Sequence, residues 1–139
     1  MKTTRHAQYL EAEVMGADPV KLVCLLYRGA IDSVGAARRH LAAGDIAQRS
    51  RQIQKAWDIL QELVQSLDRA RGGELGNRLA IMYTYMQNRL IAANIQQSDA
   101  PLAEVETLLG TLAEAWRSLQ IASAPALTQD DHQPVSASY

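Results

Sequence analysis

Apolar residues recur at helical spacing through most of this chain, and three breaker signals cut the pattern into four lengths of about 20 residues each. The first length opens at Asp18-Pro19, an N-cap residue followed by a residue suited to the first helical position. Leu22, Leu26, Ala30, Val34, Ala37 and Leu41 form its stripe, widened by Val23, Tyr27 and Ile31, and Gly44 closes it. Asp45 caps the second, whose stripe is Ile53, Trp57, Leu60, Val64 and Leu67, flanked by Ile59 and Leu63. Gly72-Gly73 breaks the pattern. The third begins near Glu74 and carries Leu75, Leu79, Met82, Met86, Leu90 and Ala93. Ser98-Asp99-Ala100-Pro101 announces the fourth, with Leu102, Val105, Leu109, Leu112, Trp116 and Leu119. No segment alternates with a period of two. The pattern therefore predicts an all-α antiparallel up-down four-helix bundle, with helices near 19–43, 46–70, 74–97 and 101–122. Trp57 and Trp116 fall on their main stripes and are expected inside.

The bundle is expected to occupy 18–124. Residues 1–17 form a short N-terminal segment with Tyr9, Leu10, Val14 and Met15 but no core of its own. Residues 125–139, rich in Ala, Ser, Gln and Asp with two prolines, read as a disordered tail.

A net charge of −1 gives no global field for nucleic acid or an anionic membrane, so neither is expected as a partner. Arg38-Arg39 and Arg49–Arg51 are offset by Asp45 and Asp58. The apolar run Leu22 to Tyr27 is far short of a membrane span, and the first eight residues contain no apolar signal core. A cytoplasmic location is the default expectation. One cysteine, Cys24, excludes an internal disulfide and reads as a small packing residue.

No catalytic or metal chemistry emerges. His6, His40 and His132 are far apart, and no Glu-x-x-His pair occurs. Gly72-Gly73 lacks the Lys-Ser/Thr of a phosphate loop. The carboxylates read as solvated faces rather than as an acid and a base. No enzyme activity, cofactor or metal is expected.

The positive signal is an excess of apolar positions. Beside its main stripe the third helix carries Ile81, Tyr85, Ala92 and Ile95, with Tyr83 between, and the second carries Ile59 and Leu63. Every helix of a four-helix bundle has a solvent side, so the surplus is either a generous core with tyrosine rims or a helix-in-groove docking surface.

Specific strings favour the second reading. The run Ala17-Asp18-Pro19-Val20-Lys21-Leu22-Val23-Cys24-Leu25-Leu26-Tyr27-Arg28-Gly29-Ala30 resembles the FliS family of flagellin-export chaperones. So do Lys55-Ala56, Glu62-Leu63, Leu67-Asp68 and Gly72-Gly73-Glu74-Leu75, then Met82-Tyr83-Thr84-Tyr85-Met86, Arg89-Leu90 and Ala93-Asn94. Glu104-Val105, Leu108-Leu109 and Ala115-Trp116 complete the set, and Tyr9 matches a tyrosine of the family's N-terminal segment. The resemblance spans about residues 8–119. It departs at the basic Arg69-Ala70-Arg71 link and in the tail.

The resemblance implies a cytoplasmic chaperone that binds the disordered C-terminal segment of flagellin, prevents premature polymerisation and supports delivery to the type III export apparatus, with export-gate components as further partners. It also implies an N-terminal segment that covers part of the bundle until flagellin displaces it. On this reading the client surface is a groove on the second and third helices. It comprises Tyr9, Leu10, Ile59, Leu63, Ile81, Tyr83, Tyr85, Ala92 and Ile95, while the oligomeric state stays open. The rival classes are a client-free oligomerisation module and a small helical enzyme or metal protein. A flagellin pull-down separates the first from a chaperone, and elemental analysis disposes of the second.

Overall fold

The computed structural model describes residues 19–67 and 69–132. Four helices follow one another, α1 (Pro19–Ala42), α2 (Ile46–Gln65), α3 (Arg69–Gln96) and α4 (Asp99–His132), with no strand among the described residues. The all-α expectation holds. The chain forms two compact units. The first is Leu26–Thr111; the second takes in the first two turns of α1 and α4 from Leu112 onward, and its described parts are helical.

Within Leu26–Thr111 the helices alternate in direction. Gly29 of α1 faces Ile59 of α2 across the turn at Gly44. Arg49 of α2 meets Asn94 of α3, while Trp57 and Gln61 meet Gln87, so the sequence rises on one helix as it falls on the other. Glu104 of α4 meets Tyr85 and Arg89 of α3. Arg38, near the end of α1, reaches Asp99 and Glu106 at the start of α4. This is the up-down arrangement that short connections dictate.

The termini follow from local chemistry. Gly44 adopts φ 74° and donates to the Leu41 carbonyl at 3.1 Å. The Asp45 carboxylate then accepts from the Gln48 N–H at 3.1 Å, capping α2 as expected. That helix stops at Gln65, five residues short of the predicted 70. Ser66 ends it, its N–H donating to the Glu62 carbonyl and its hydroxyl to the Leu63 carbonyl at 2.9 Å. Ser, with a hydroxyl that competes for backbone carbonyls, won over the apolar pattern. Arg69 to Gly72 make a preliminary turn, Gly73 breaks it at φ 55° and ψ −128°, and the regular helix runs from Glu74. Gln97 is the left-handed residue after α3, and the Ser98 N–H closes back on the Ala93 carbonyl at 3.1 Å.

Helix α4 begins at Asp99, with Pro101 in its first turn. It continues through His132, past the Ala124 boundary expected for the bundle. Ala122, Ala124, Ala126 and Leu127 are strong helix formers, and the N–H that Pro125 lacks costs that helix one bond. Of the tail expected at 125–139, the part beyond His132 lies outside the described residues, as do the Asp18 cap and the N-terminal segment 1–17.

The interior is built from Leu26, Tyr27, Ala30, Val34 and Ala37 of α1, Leu79, Tyr83, Met86, Leu90 and Ala93 of α3, and Leu102, Val105 and Leu109 of α4. On α2 the predicted stripe is rotated. Ile53, Ala56, Ile59, Leu60 and Leu63 are buried, while Trp57 and Val64 are half-buried. The supposed flank is the core, because Ala56 keeps the 53-56-60-63 line in register at 3-4-3 spacing. Trp116 is also half-buried, and Leu75 and Leu119 are exposed.

Candidate functional site

Sequence periodicity places Leu79, Met86, Leu90 and Ala93 along one side of α3, and all are buried. At about 100° per residue, Ile81, Tyr85, Ala92 and Ile95 fall roughly half a turn away. Ile81 is 69 % exposed, Ile95 75 % and Tyr85 46 %, with Ala92 half-buried. Ile91 is exposed beside them, and Leu75 is exposed just after the Gly73 break of the same helix. Among the residues whose burial is described, the other exposed large apolar side chains are Leu25 on α1, Ile46 on α2, and Leu119 and Ile121 on α4, so in that set α3 carries more than the other helices together. Scattered surface apolar residues are ordinary; a line of them down the solvent side of one helix is a candidate docking surface.

The expected site residues divide on burial. Ile81, Tyr85, Ala92 and Ile95 share the outer face of α3. Ile59, Leu63 and Tyr83 are interior, none more than 3 % exposed, and hold helices together. Tyr9 and Leu10 lie outside the described residues. Tyr83 packs its ring against Tyr27 at 6.3 Å between centroids, and the two hydroxyls share a hydrogen bond of 2.5 Å across α1 and α3. Burial pushes the Tyr83 phenol upward, and the bond to Tyr27 partly opposes it.

Polar groups border the outer face on both flanks. Towards α4, the Tyr85 hydroxyl donates to Glu104 at 2.5 Å and Arg89 Nε donates to the same carboxylate at 2.7 Å. The Tyr85 bond, then the Arg89 bond, hold Glu104 below the usual carboxylate range, and Glu104 raises the phenol in turn. The hydroxyl bond thus ties the half-exposed Tyr85 to α4. Towards α2, Gln87 donates to the Trp57 carbonyl and to Gln61 Oε1 at 3.1 Å. Beyond it Arg49 and Ser50 both donate to Asn94 Oδ1, at 3.0 and 3.1 Å, and Arg49 also reaches the Asn94 carbonyl.

Arg49 was not singled out as an interior residue; in the sequence it read only as part of a basic stretch offset by Asp45 and Asp58. It is 5 % exposed. The overlooked signal is its place four residues before Ile53, on the true core line 49-53-56-60-63. Ile91 was also missed, since it lies one position off the Ile81–Ile95 stripe.

The frame that carries this face is pinned where α1 ends and α4 begins. Arg38 bonds both oxygens of Asp99, at 2.8 and 2.9 Å, and Glu106 at 2.6 Å. The Asp99 bond, then the Glu106 bond, raise the guanidinium pKa, and Arg38 holds Asp99 below its ordinary 3.8. A depressed carboxylate stabilises the fold above the unfolded pKa. The contribution is complete at neutral pH, fades as pH falls below about 4, and is gone below the folded value. Both side chains are more than a third exposed, so its size is about 1 kcal/mol or less. Asp99→Asn is expected to flatten the acid limb of a stability-against-pH curve below pH 5 and to leave the curve's shape above it unchanged.

No described helix is long and apolar enough to cross a membrane, and the described residues contain no group of three His, Cys, Asp or Glu placed to hold a metal. The comparisons agree with a binding role. The chain is 36 % identical to the flagellar secretion chaperone FliS of Salmonella typhimurium, over 79 % of this chain and 82 % of that protein. It is 32 % identical to the FliS chaperone of Bacillus subtilis, over 81 % and 83 %, and 31 % identical to that of Escherichia coli, over 92 % and 94 %. The family model described as flagellar protein FliS matches residues 1–123. The family match over residues 1–123 and these relatives make the chain a member of the FliS family, a family of chaperones rather than enzymes.

Proposed function

We propose that this chain is a cytoplasmic flagellar export chaperone that binds the C-terminal segment of flagellin, keeps it from polymerising and hands it to the type III export apparatus, where export-gate components meet the loaded complex. Membership of a family whose curated relatives are named flagellar secretion chaperones supports the role. The observation that carries the site is the solvent-facing line Ile81, Tyr85, Ala92 and Ile95. A disordered client costs about 2–5 kcal/mol or more to order, and apolar burial at roughly 25 cal/mol per Å² is the term able to offset it. An amphipathic client helix laid along α3 meets anchors at i, i+4, i+11 and i+14, the spacing that helix-in-groove recognition uses. Ile59, Leu63 and Tyr83 support that face from within.

In the unloaded protein, Tyr9 and Leu10 rest on the same face and give way to flagellin. A tether of so few residues holds them there at high effective concentration while leaving them displaceable.

Calorimetry with a peptide of the flagellin C-terminal segment tests the reading. Ile81→Glu combined with Ile95→Glu is expected to keep the helical circular-dichroism signal and weaken binding at least about tenfold. Undiminished affinity in the folded variant removes the client from this face. Tyr9→Ala with Leu10→Ala is expected to leave the bundle folded and the peptide bound at least as tightly; weaker binding shows that those side chains touch the client instead of competing with it.

A further inference from the structure

The apolar face of α3 ends beside an amide whose hydrogen-bonding is only half used. Asn94 is half-exposed, one residue before Ile95. Its Oδ1 accepts from Arg49 Nε at 3.0 Å and from Ser50 Oγ at 3.1 Å, which fills both lone pairs of that oxygen. The two donors come from α2, one buried and one half-buried, and they fix the plane and the sense of the amide. Its NH2 has no acceptor among the described residues. A primary amide held by its oxygen presents donors alone on its other limb. The cation on that oxygen also draws electron density from the nitrogen, which strengthens the N–H donors.

We infer that Asn94 is a specificity-determining residue of the client surface, and that its NH2 donates to a main-chain carbonyl of the segment bound along Ile81–Ile95. The inference rests on the docking face proposed above. Main-chain carbonyls inside a client helix are already bonded within that helix, whereas those of its last turn lack internal partners. The group that Asn94 meets is therefore a carbonyl where the bound helix ends. The apolar line gives affinity without register. One fixed donor at its end sets where along α3 the client helix stops, and it rejects a register that would bring a backbone N–H to the same point.

The structural role of Asn94 and this recognition role are separable by one isosteric change. Asn94→Asp keeps the acceptor for Arg49 and Ser50, converts the Arg49 contact into an ion pair, and replaces the donor with an anion that repels carbonyls. It is expected to unfold at the wild-type denaturant midpoint or above, and to bind the flagellin C-terminal peptide about tenfold more weakly. A structural role alone predicts a stable variant with wild-type affinity, and that result overturns the proposal. Ile95→Glu is measured in parallel. If it binds as wild type, the docking face itself is wrong and the role of Asn94 falls with it. If it loses binding while Asn94→Asp does not, only the amide's role fails.

The unmodified protein supplies a reading independent of any variant's folding. The Asn94 side-chain NH2 resonances are expected to move downfield and exchange more slowly with water when the peptide is added. Resonances that stay in place at saturation overturn the proposal.

Discussion

Leu63→Glu is expected to unfold the bundle at neutral pH, while Ile95→Glu, the same charge one helix away, leaves it folded. Leu63 is 1 % exposed and Ile95 75 %. A carboxylate at this buried apolar position either ionises against a low dielectric or stays protonated at neutral pH. Losing the buried leucine costs about 2–5 kcal/mol, and an unpaired buried charge adds several more. The sum is comparable to the whole stability of a small domain, about 5–15 kcal/mol. Chemical denaturation read by circular dichroism checks it. A Leu63→Glu protein with the wild-type midpoint would place Leu63 outside the core. Sequence alone assigned this residue to the client surface, so the pair of substitutions tests which side of the helical frame each occupies.

Tyr83→Ala is expected to cost about 3–5 kcal/mol, through the ring's lost packing against Tyr27 and through the hydroxyl bond between them. The hydroxyl share can be isolated. Tyr27→Phe leaves the Tyr83 hydroxyl, 1 % exposed, without an acceptor or donor among the described residues, and should cost about 1–3 kcal/mol. Adding Tyr83→Phe removes the stranded group, so the double variant is expected to be less destabilised than the sum of the two single changes. Strict additivity would mean that the two hydroxyls do not interact in solution.

The frame was legible in the sequence because its punctuation is chemical. Gly44, the Gly73 break and Pro101 act through backbone properties, and Asp45 through a side chain that caps the adjacent backbone, local effects that tertiary context seldom overrides, and each lies where the pattern put it. The four-helix count followed from them. The rotation of α2 did not. Its two candidate stripes differ by a single step around the helix, and the larger side chains Trp57 and Val64 drew the assignment toward the wrong one, while the small Ala56 marks the side where helices approach closely. The proposed client face was half legible. Ile81, Tyr85, Ala92 and Ile95 formed a second stripe on α3, and that stripe is the outer one. Tyr83 lay between the stripes, and nothing in its own type told a rim hydroxyl from a buried one; its partner Tyr27 is 56 residues away. The same holds for Asn94, whose role depends on two donors from another helix.

Arg49 remains the unusual occupant of this interior, a cation 5 % exposed whose bonds go to an amide oxygen and to a backbone carbonyl rather than to a carboxylate. That carbonyl, of Asn94, belongs to the last turn of α3, where the aligned peptide dipoles accumulate about half an elementary negative charge. The Ala93 carbonyl of the same turn accepts from the Ser98 N–H, and the guanidinium places a positive charge against that end. The counter-ion of the buried arginine is thus the helix itself. Neither charge can be discharged by acid in the way a carboxylate can, so this junction of α2 and α3 keeps its electrostatic balance at a pH that loosens the Arg38 contacts between α1 and α4.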